Sequence, residues 1–372
     1  MRLHTLNPNL KYWVVRPGSN GRYFEHFRSN NVMCLGHMDQ VPVLGEGIIS
    51  QDDIEYIDIE IKKIENSKPI EDRESSSQIT KKVSQIKTFI SEMSIGDIVF
   101  TLDSDRVLIG TIKSEPFFEN TPIIAYDKKG HPSSLNYKLR RDVEWEHPKP
   151  RQEIPFMVRS SLVANPTVFS LENHKLMLNH WLFSLFRQDD KIYFSTQLGS
   201  EHGISQFHVT EFQRIIQKLE LITDKIVNNE INCDTVFDDE FFSKIESLYI
   251  EKGLKSEFTL TTKNVFMSPG NIWSEMLASD AKAAIFTALL SASFGLSAET
   301  IDDKNLSPEI SDVIKNITVN LNSKSHFESL RSKIDANLDK PNKGIPAIKL
   351  TEQPQRGKII FPEDNQEGVT GI

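Results

Sequence analysis

Cysteine is nearly absent from this chain. Cys34 and Cys233 are the two in 372 residues, far apart and in unrelated contexts. Without a CxxC pair or a Cys/His cluster at zinc spacing, a zinc-built or disulfide-framed fold is excluded, and two buried thiols in a reducing cytoplasm are expected. Nucleotide and hydrolase signatures are missing too: there is no Walker A loop, no GxGxxG after a strand, no HExxH and no GxSxG, so no cofactor or metal is expected. Met1-Arg2-Leu3-His4 lacks the apolar stretch of a secretory signal. An excess of positive charge is also lacking. Forty-three Lys and Arg face 52 Asp and Glu, for a net −9, which argues against coating nucleic acid by bulk attraction. The imbalance is uneven: residues 1–175 carry 23 against 24, and the remainder 20 against 28. The first half can therefore approach a phosphate backbone without a general penalty. One long uncharged run exists, Ala283–Ala298, and its 16 residues fall short of the roughly 20 a spanning helix needs. A core helix is the favoured reading, a membrane or oligomer contact the other.

What is present reads as α+β. Tyr12–Val15 and Val32–Leu35 are strand-like, with a short helix at Tyr23–Phe27 between them. Val41–Val43 and Ile54–Ile61 continue the β pattern, and residues 65–78 read as a solvated loop. Apolar residues at Ile79, Val83, Ile86 and Ile90 mark an amphipathic helix. Ser94-Ile95-Gly96-Asp97 turns into strands at 98–102 and 107–113, joined by the Asp103-Ser104-Asp105 hairpin turn. A strand follows at 137–145. Past His147-Pro148-Lys149-Pro150 come a strand at 191–198 and helices at 209–228, 238–252, 272–294, 308–321 and 325–338. The chain from Lys340 is rich in Pro, Lys, Gln and Gly and reads as a flexible tail.

The ordered set Trp13, Val15, Arg16, Gly18; Gly36; Gly96, Asp97, Val99; Ile109, Gly110, Ile112; Arg141, Val143, Trp145 resembles the EVE-like branch of the PUA superfamily, as found at the front of Mrr-type restriction proteins. The resemblance covers about residues 10–170. It implies a small PUA/EVE-like β-barrel with flanking helices over 1–170. Beyond it the chain's own patterning adds a mainly α-helical effector or assembly domain over 171–340 and a flexible tail over 341–372. The resemblance also implies that the barrel holds a nucleobase extruded from DNA, modified bases being favoured, in bacterial defence against phage or foreign DNA. Where the family pattern has Trp after Gly36, this chain has His37, which can still stack and hydrogen-bond. Trp13, Arg16, His37 and Trp145 are the base-binding candidates. Against that stands the plainer reading that a Trp at the end of a barrel strand is core, and that Gly96-Asp97 is turn chemistry.

A basic cluster, Lys138, Arg140, Arg141, Lys149, Arg151 and Arg159, places six cations within 22 residues. These are the phosphate-binding candidates. Interleaved Asp142, Glu144, Glu146 and Glu153 make a self-paired face equally compatible. Catalytic residues are not assignable. Asp53 with Glu60-Ile61-Lys62 matches the letters of a metal-nuclease core at too short a spacing. Asp238-Asp239-Glu240 leading to Glu251-Lys252-Gly253-Leu254 echoes the opening helix of a restriction-type nuclease, but where its carboxylate-bearing strands should follow come Phe258–Thr262 and Met267-Ser268-Pro269-Gly270. His174, His180, His202 and His208 show no metal spacing, and Asp189-Asp190 and Asp302-Asp303 read as loop charges. The partners expected are DNA and a second copy or another defence protein; a membrane is not. A divergent Mg²⁺-dependent endonuclease, and an effector that binds a partner or membrane without nucleic acid, are the alternative functions.

Overall fold

The computed structural model describes residues 3–127, 129–163, 166–199, 203–265, 270–296, 306–338 and 356–362. Met267-Ser268-Pro269, where a nuclease would carry a strand, His202, Asp302-Asp303, the end of the apolar run at 297–298 and most of the tail lie outside them. Two compact units divide the chain, Leu10–Lys175 with Gly344–Ile372, and Met1–Asn9 with Leu176–Lys343. A two-residue strand, β1 (His4–Thr5), belongs to the second.

The first unit runs β2 (Tyr12–Val15), α1 (Phe24–Ser29), β3 (Val32–Leu35), β4 (Gly47–Ile48), α2 (Ile54–Ser67), α3 (Ser76–Lys87), β5 (Ile98–Leu102), β6 (Arg106–Ile112), β7 (Phe117–Phe118), β8 (Ile123–Tyr126), β9 (Pro132–Leu135), β10 (Leu139–Trp145), β11 (Lys149–Pro150), α4 (Phe156–Ser161) and β12 (Val168–Ser170). Its main sheet has the order β12-β2-β5-β6-β10-β7-β4, with β2 and β5 parallel. Strand β10 makes this sheet curl. Residues 139–142 pair with β3 and 143–145 with β6, while Leu139 and Arg140 also face β7. The result is a half-barrel around Trp13, Phe27, Val99, Ile112 and Leu139, closed on one side by Ile57 and Ile61 of α2 and Ile86 of α3.

Ile54–Ile61 is helix, not strand. Ile57 and Ile61, four apart, are buried while Ile59 is exposed, and the Ser50–Asp53 capping box starts the turn, Ser50 N–H donating to Asp53 Oδ2 at 2.6 Å. Helix geometry uses the 3.6-residue period; the alternation that suggested a strand is a side effect of closely spaced isoleucines. The stretch 65–78 is likewise helix end and helix cap, with Glu65 buried against Lys68 and Lys82. Val41 is buried without being in a strand.

The described stretch Arg356–Pro362, expected to hang loosely, packs on this unit. It extends the β4 edge: Ile48 N–H donates to Gly357 O at 2.7 Å and Ile359 N–H to Ile48 O at 3.0 Å. Arg356 pairs with Asp142 at 2.8 Å and lies 3.6 Å from the Phe117 ring centre.

Beyond α5 (Lys175–Leu182), the second unit has β13 (Leu185–Gln188), β14 (Lys191–Leu198), α6 (Gln206–Val227), α7 (Asp239–Leu254), β15 (Thr261–Val265), β16 (Gly270–Leu277), α8 (Asp280–Ser293), α9 (Pro308–Ser325), α10 (Phe327–Lys333) and β17 (Ala336–Leu338). Helices hold most of these residues, but a six-stranded sheet, β1-β13-β14-β16-β15 with β17 on β14, organises them. The helix expected over 272–294 is strand β16 followed by α8, broken where Ser279 caps α8 by accepting Lys282 N–H. The helix expected over 325–338 likewise ends early and gives way to β17. The α6 seam, Phe212, Ile215, Ile216, Leu219, Ile222 and Ile226, is buried throughout. So are Ile285, Phe286, Leu289 and Leu290 of the apolar run, and no described helix is long and apolar enough to cross a membrane.

Candidate anion-binding groove

The cations of the basic cluster separate by their place on the sheet. Strand β10 has neighbours on both edges, so Arg140 and Arg141, pointing to opposite faces, both enter the interior. Arg141 is 0% exposed. Its Nε donates to Phe89 O at 2.9 Å, Nη1 to Ser114 O at 2.9 Å, and Nη2 to Ile90 O and Met93 O at 3.0 and 2.9 Å. Three of those carbonyls terminate the π turn, Thr88–Glu92, that continues α3, so this guanidinium caps a helix from within. Burial pulls it down to about 10 against the opposing pull of Glu115 and Asp97, and it stays charged at neutral pH. Arg140 donates to the Tyr137 and Thr121 carbonyls and faces Glu119. Lys138 places its ammonium 5.6 Å from the Phe118 ring centre. Arg140 and Arg141 are thus removed from any phosphate surface.

The base-binding candidates do not form one open wall. Trp13 is 4% exposed and donates its indole N–H to Asp97 Oδ2 at 2.8 Å. Trp145 is half-buried against the same core, its indole nitrogen 3.4 Å from Val32 O. His37 is largely buried beside α3, where desolvation lowers its pKa, a hydrogen bond it donates to Gln85 opposes that, and the charge of Lys82 adds to the lowering. Gly36 is needed because a Cβ there would stand 2.4 Å from the Tyr137 ring.

The remaining cations converge. The β5–β6 turn brings Asp103 Oδ1 to the amides of Asp105 and Arg106 at 3.0 and 2.6 Å, a side-chain-built turn of the kind Asp favours. Strand β11 pairs with β6, opposing Lys149 to Val107 and Pro150 to Arg106, and Arg151 N–H ties back to Asp105 O at 2.7 Å. Helix α4 then delivers Arg159. The groove so formed has a volume of about 830 Å³ and is lined by Asp105, Arg106, Lys149, Arg151, Gln152 and Arg159, with Ser104, Pro148 and Pro150. Arg16 adjoins it, holding Leu162 O at 2.6 Å and Pro166 O at 3.2 Å. Burial lowers its pKa, and the charge of Arg151 lowers it further.

These cations differ in what neutralises them. Arg106 is held by Asp103 and Glu25 at 2.6 and 2.9 Å, and Lys149 by Glu146 at 3.8 Å. Among the described residues no carboxylate pairs with Arg151 or Arg159, and Arg159 Nε is buried without a hydrogen-bond partner. Beside Arg159, whose guanidinium lies 5.6 Å from its ring centre, Phe156 is 76% exposed. Arg106 and Phe156 escaped the sequence reading; the only signals were an Arg closing an Asp-rich turn and a Phe after Pro155. By contrast, a smaller cavity of about 310 Å³ in the second unit, lined by Asp224, Lys225, Glu230 and Lys252, is self-paired, Lys252 meeting Asp224 and Lys225 meeting Glu230, both at 2.6 Å.

The residues considered for catalysis are dispersed. Asp53 belongs to the capping box, and Glu60 and Lys62 lie on α2 paired with Lys63 and Asp58, so they do not end adjacent strands. Asp238 is the N-cap of α7, accepting from Phe241 N–H at 2.9 Å. His180 stacks on Trp273 and meets Ser195 Oγ at 2.8 Å, with burial pushing it down to about 3. His174 meets Ser161 Oγ at 2.6 Å, and His208 lies on α6. Among the described residues no group of three His, Cys, Asp or Glu is placed to hold a metal ion.

Residues 13–172 match a family model described as Domain of unknown function (DUF8426). The match spans the half-barrel and the groove. No curated protein and no solved structure matches the chain.

Proposed function

We propose that this protein binds DNA through the Leu10–Lys175 unit, in the sensing of foreign DNA that its resemblance to restriction-associated EVE/PUA-like barrels implies. The observation that carries the reading is the pair Arg151 and Arg159, unneutralised by carboxylates and lining one groove with Arg106 and Lys149. A groove lined by cations on a unit of nearly balanced charge concentrates positive potential locally, which steers a phosphate backbone without coating it. The parallel β2–β5 pair, the short α1 between β2 and β3, and the Gly96-Asp97 turn heading β5 support reading the unit as a PUA-superfamily barrel. With Trp13 sealed in the core, recognition of a modified base belongs to groups other than its indole.

The test is fluorescence anisotropy with the full chain and duplexes carrying plain or modified cytosine, at two salt concentrations. Binding that weakens with salt and falls in Arg151→Ala supports the reading, and a preference for one modification kept at the higher salt extends it to base sensing. A folded protein blind to every duplex and single strand tried would overturn it.

A further inference from the structure

We infer that α4 is a stacking platform for an unpaired base, so that the groove takes single-stranded nucleic acid in preference to a closed duplex. This rests on the DNA-binding reading above and specifies the ligand of the same groove. Val158 of α4 and Leu162 just after it are both at most 1% exposed, and Arg16 holds the Leu162 carbonyl. At the start of α4 two large apolar residues face outward, Phe156 76% and Met157 58% exposed, with Ser160 and Val163 exposed further along. Phe156 leaves most of its ring in contact with water, a standing cost that a stacked base removes.

What selects the occupant is the adjoining charge. Arg159 links the two features, lining the groove while its guanidinium sits beside the Phe156 ring. A ligand reaching both must offer an anionic backbone and, one side chain away, a flat apolar face. An unpaired nucleotide offers that combination; a closed duplex keeps its base faces stacked on each other, out of reach of a side chain on the rim. Phe156, Met157 and Val163, exposed beside four cations, still make too small an apolar patch for the core of a stable protein interface.

The experiment compares a labelled oligo-dT strand and a blunt duplex of equal length against the wild-type chain, Phe156→Ala, Phe156→Trp and Arg151→Ala. Phe156→Ala should weaken the single strand by about tenfold or more and leave the duplex within about twofold. Phe156→Trp should keep the affinity and show indole quenching when the strand binds. Arg151→Ala should weaken both ligands. Because Phe156 is exposed, its variants keep the fold, which a melting curve checks. Equal effects of Phe156→Ala on both ligands, no effect on either, or lost self-association in its place would overturn the platform while leaving the groove reading intact. A wild-type protein that binds neither ligand overturns both.

Discussion

Trp13 and Asp97 meet inside the half-barrel, indole N–H to carboxylate Oδ2 at 2.8 Å. The same carboxylate accepts the amides of Ser94 at 2.9 Å and Lys11 at 3.1 Å. It therefore joins the start of β2 to the turn that opens β5, two segments more than eighty residues apart in the chain that must lie side by side for the parallel pair to form. Asp97→Ala removes the acceptor from three donors at once. It should cost about 2–4 kcal/mol, measured by urea unfolding followed through tryptophan fluorescence. A change below about 0.5 kcal/mol, the range of ordinary surface substitutions, would show that the pair is not structural.

Arg141 makes a companion case. Lysine keeps the charge but not the planar fork that reaches four carbonyls, so Arg141→Lys should destabilise the unit by about 3–5 kcal/mol. The residue is sealed from solvent, so the affinity of the molecules that remain folded should not change. An Arg141→Lys protein of wild-type stability and reduced DNA affinity would restore it to the phosphate surface.

The stretch 356–362 contributes to the same unit from far along the chain. Ending the protein before Arg356 uncovers the β4 edge and the Phe117 ring and leaves Asp142 without its partner. A loss of about 1–3 kcal/mol is expected from the apolar area re-exposed. A truncated chain that unfolds at the same urea concentration would mean the strap rests on the surface without stabilising it.

These cases show what the sequence exposed and what it hid. Strands β2, β3, β5 and β14 were legible because their apolar runs are short and bounded by turn residues. Ile54–Ile61 was not, because Ile at 54, 57, 59 and 61 satisfies both a two-residue and a 3.6-residue period, and only the Ser50–Asp53 cap decides between them. The basic cluster was legible as a cluster but not as a surface. Neighbours in sequence on a central strand point to opposite faces and are buried on both, so Arg140 and Arg141 leave the group while Arg16 and Arg106, distant in sequence, come to its rim. Asp97 read as turn chemistry, which it is, but its buried link to Trp13 is a long-range fact that no local pattern encodes.

Salt dependence separates the cations that remain. Arg151→Ala and Arg159→Ala should each lower the slope of log affinity against log salt by about 1, one phosphate contact apiece, and Arg140→Ala should leave it unchanged. Equal slopes in all three variants would place the phosphate contacts elsewhere on the unit.

Glu146 and Lys149, 3.8 Å apart at the groove, give the pH dependence its sign. Burial pushes the Glu146 carboxyl up to about 7 from its ordinary 4.5, with Lys149 opposing. Burial also lowers Lys149, against the pull of Glu146 and Glu153. A carboxyl whose pKa is higher folded than unfolded holds its proton more tightly in the fold. Its stabilising contribution is therefore full below about pH 4.5 and is lost as pH rises through about 7. Glu146→Gln should flatten that slope and raise stability at pH 8 by on the order of 1–2 kcal/mol, allowing for solvent screening. The same proton changes the groove: as pH falls from 8 to 6 the acid nearest Lys149 loses its charge, and DNA binding should tighten in the wild type. The Gln variant should bind as the wild type does at pH 6 and vary little with pH. If anisotropy titrations at pH 6, 7 and 8 give both proteins the same pH slope, the titrating group is not Glu146.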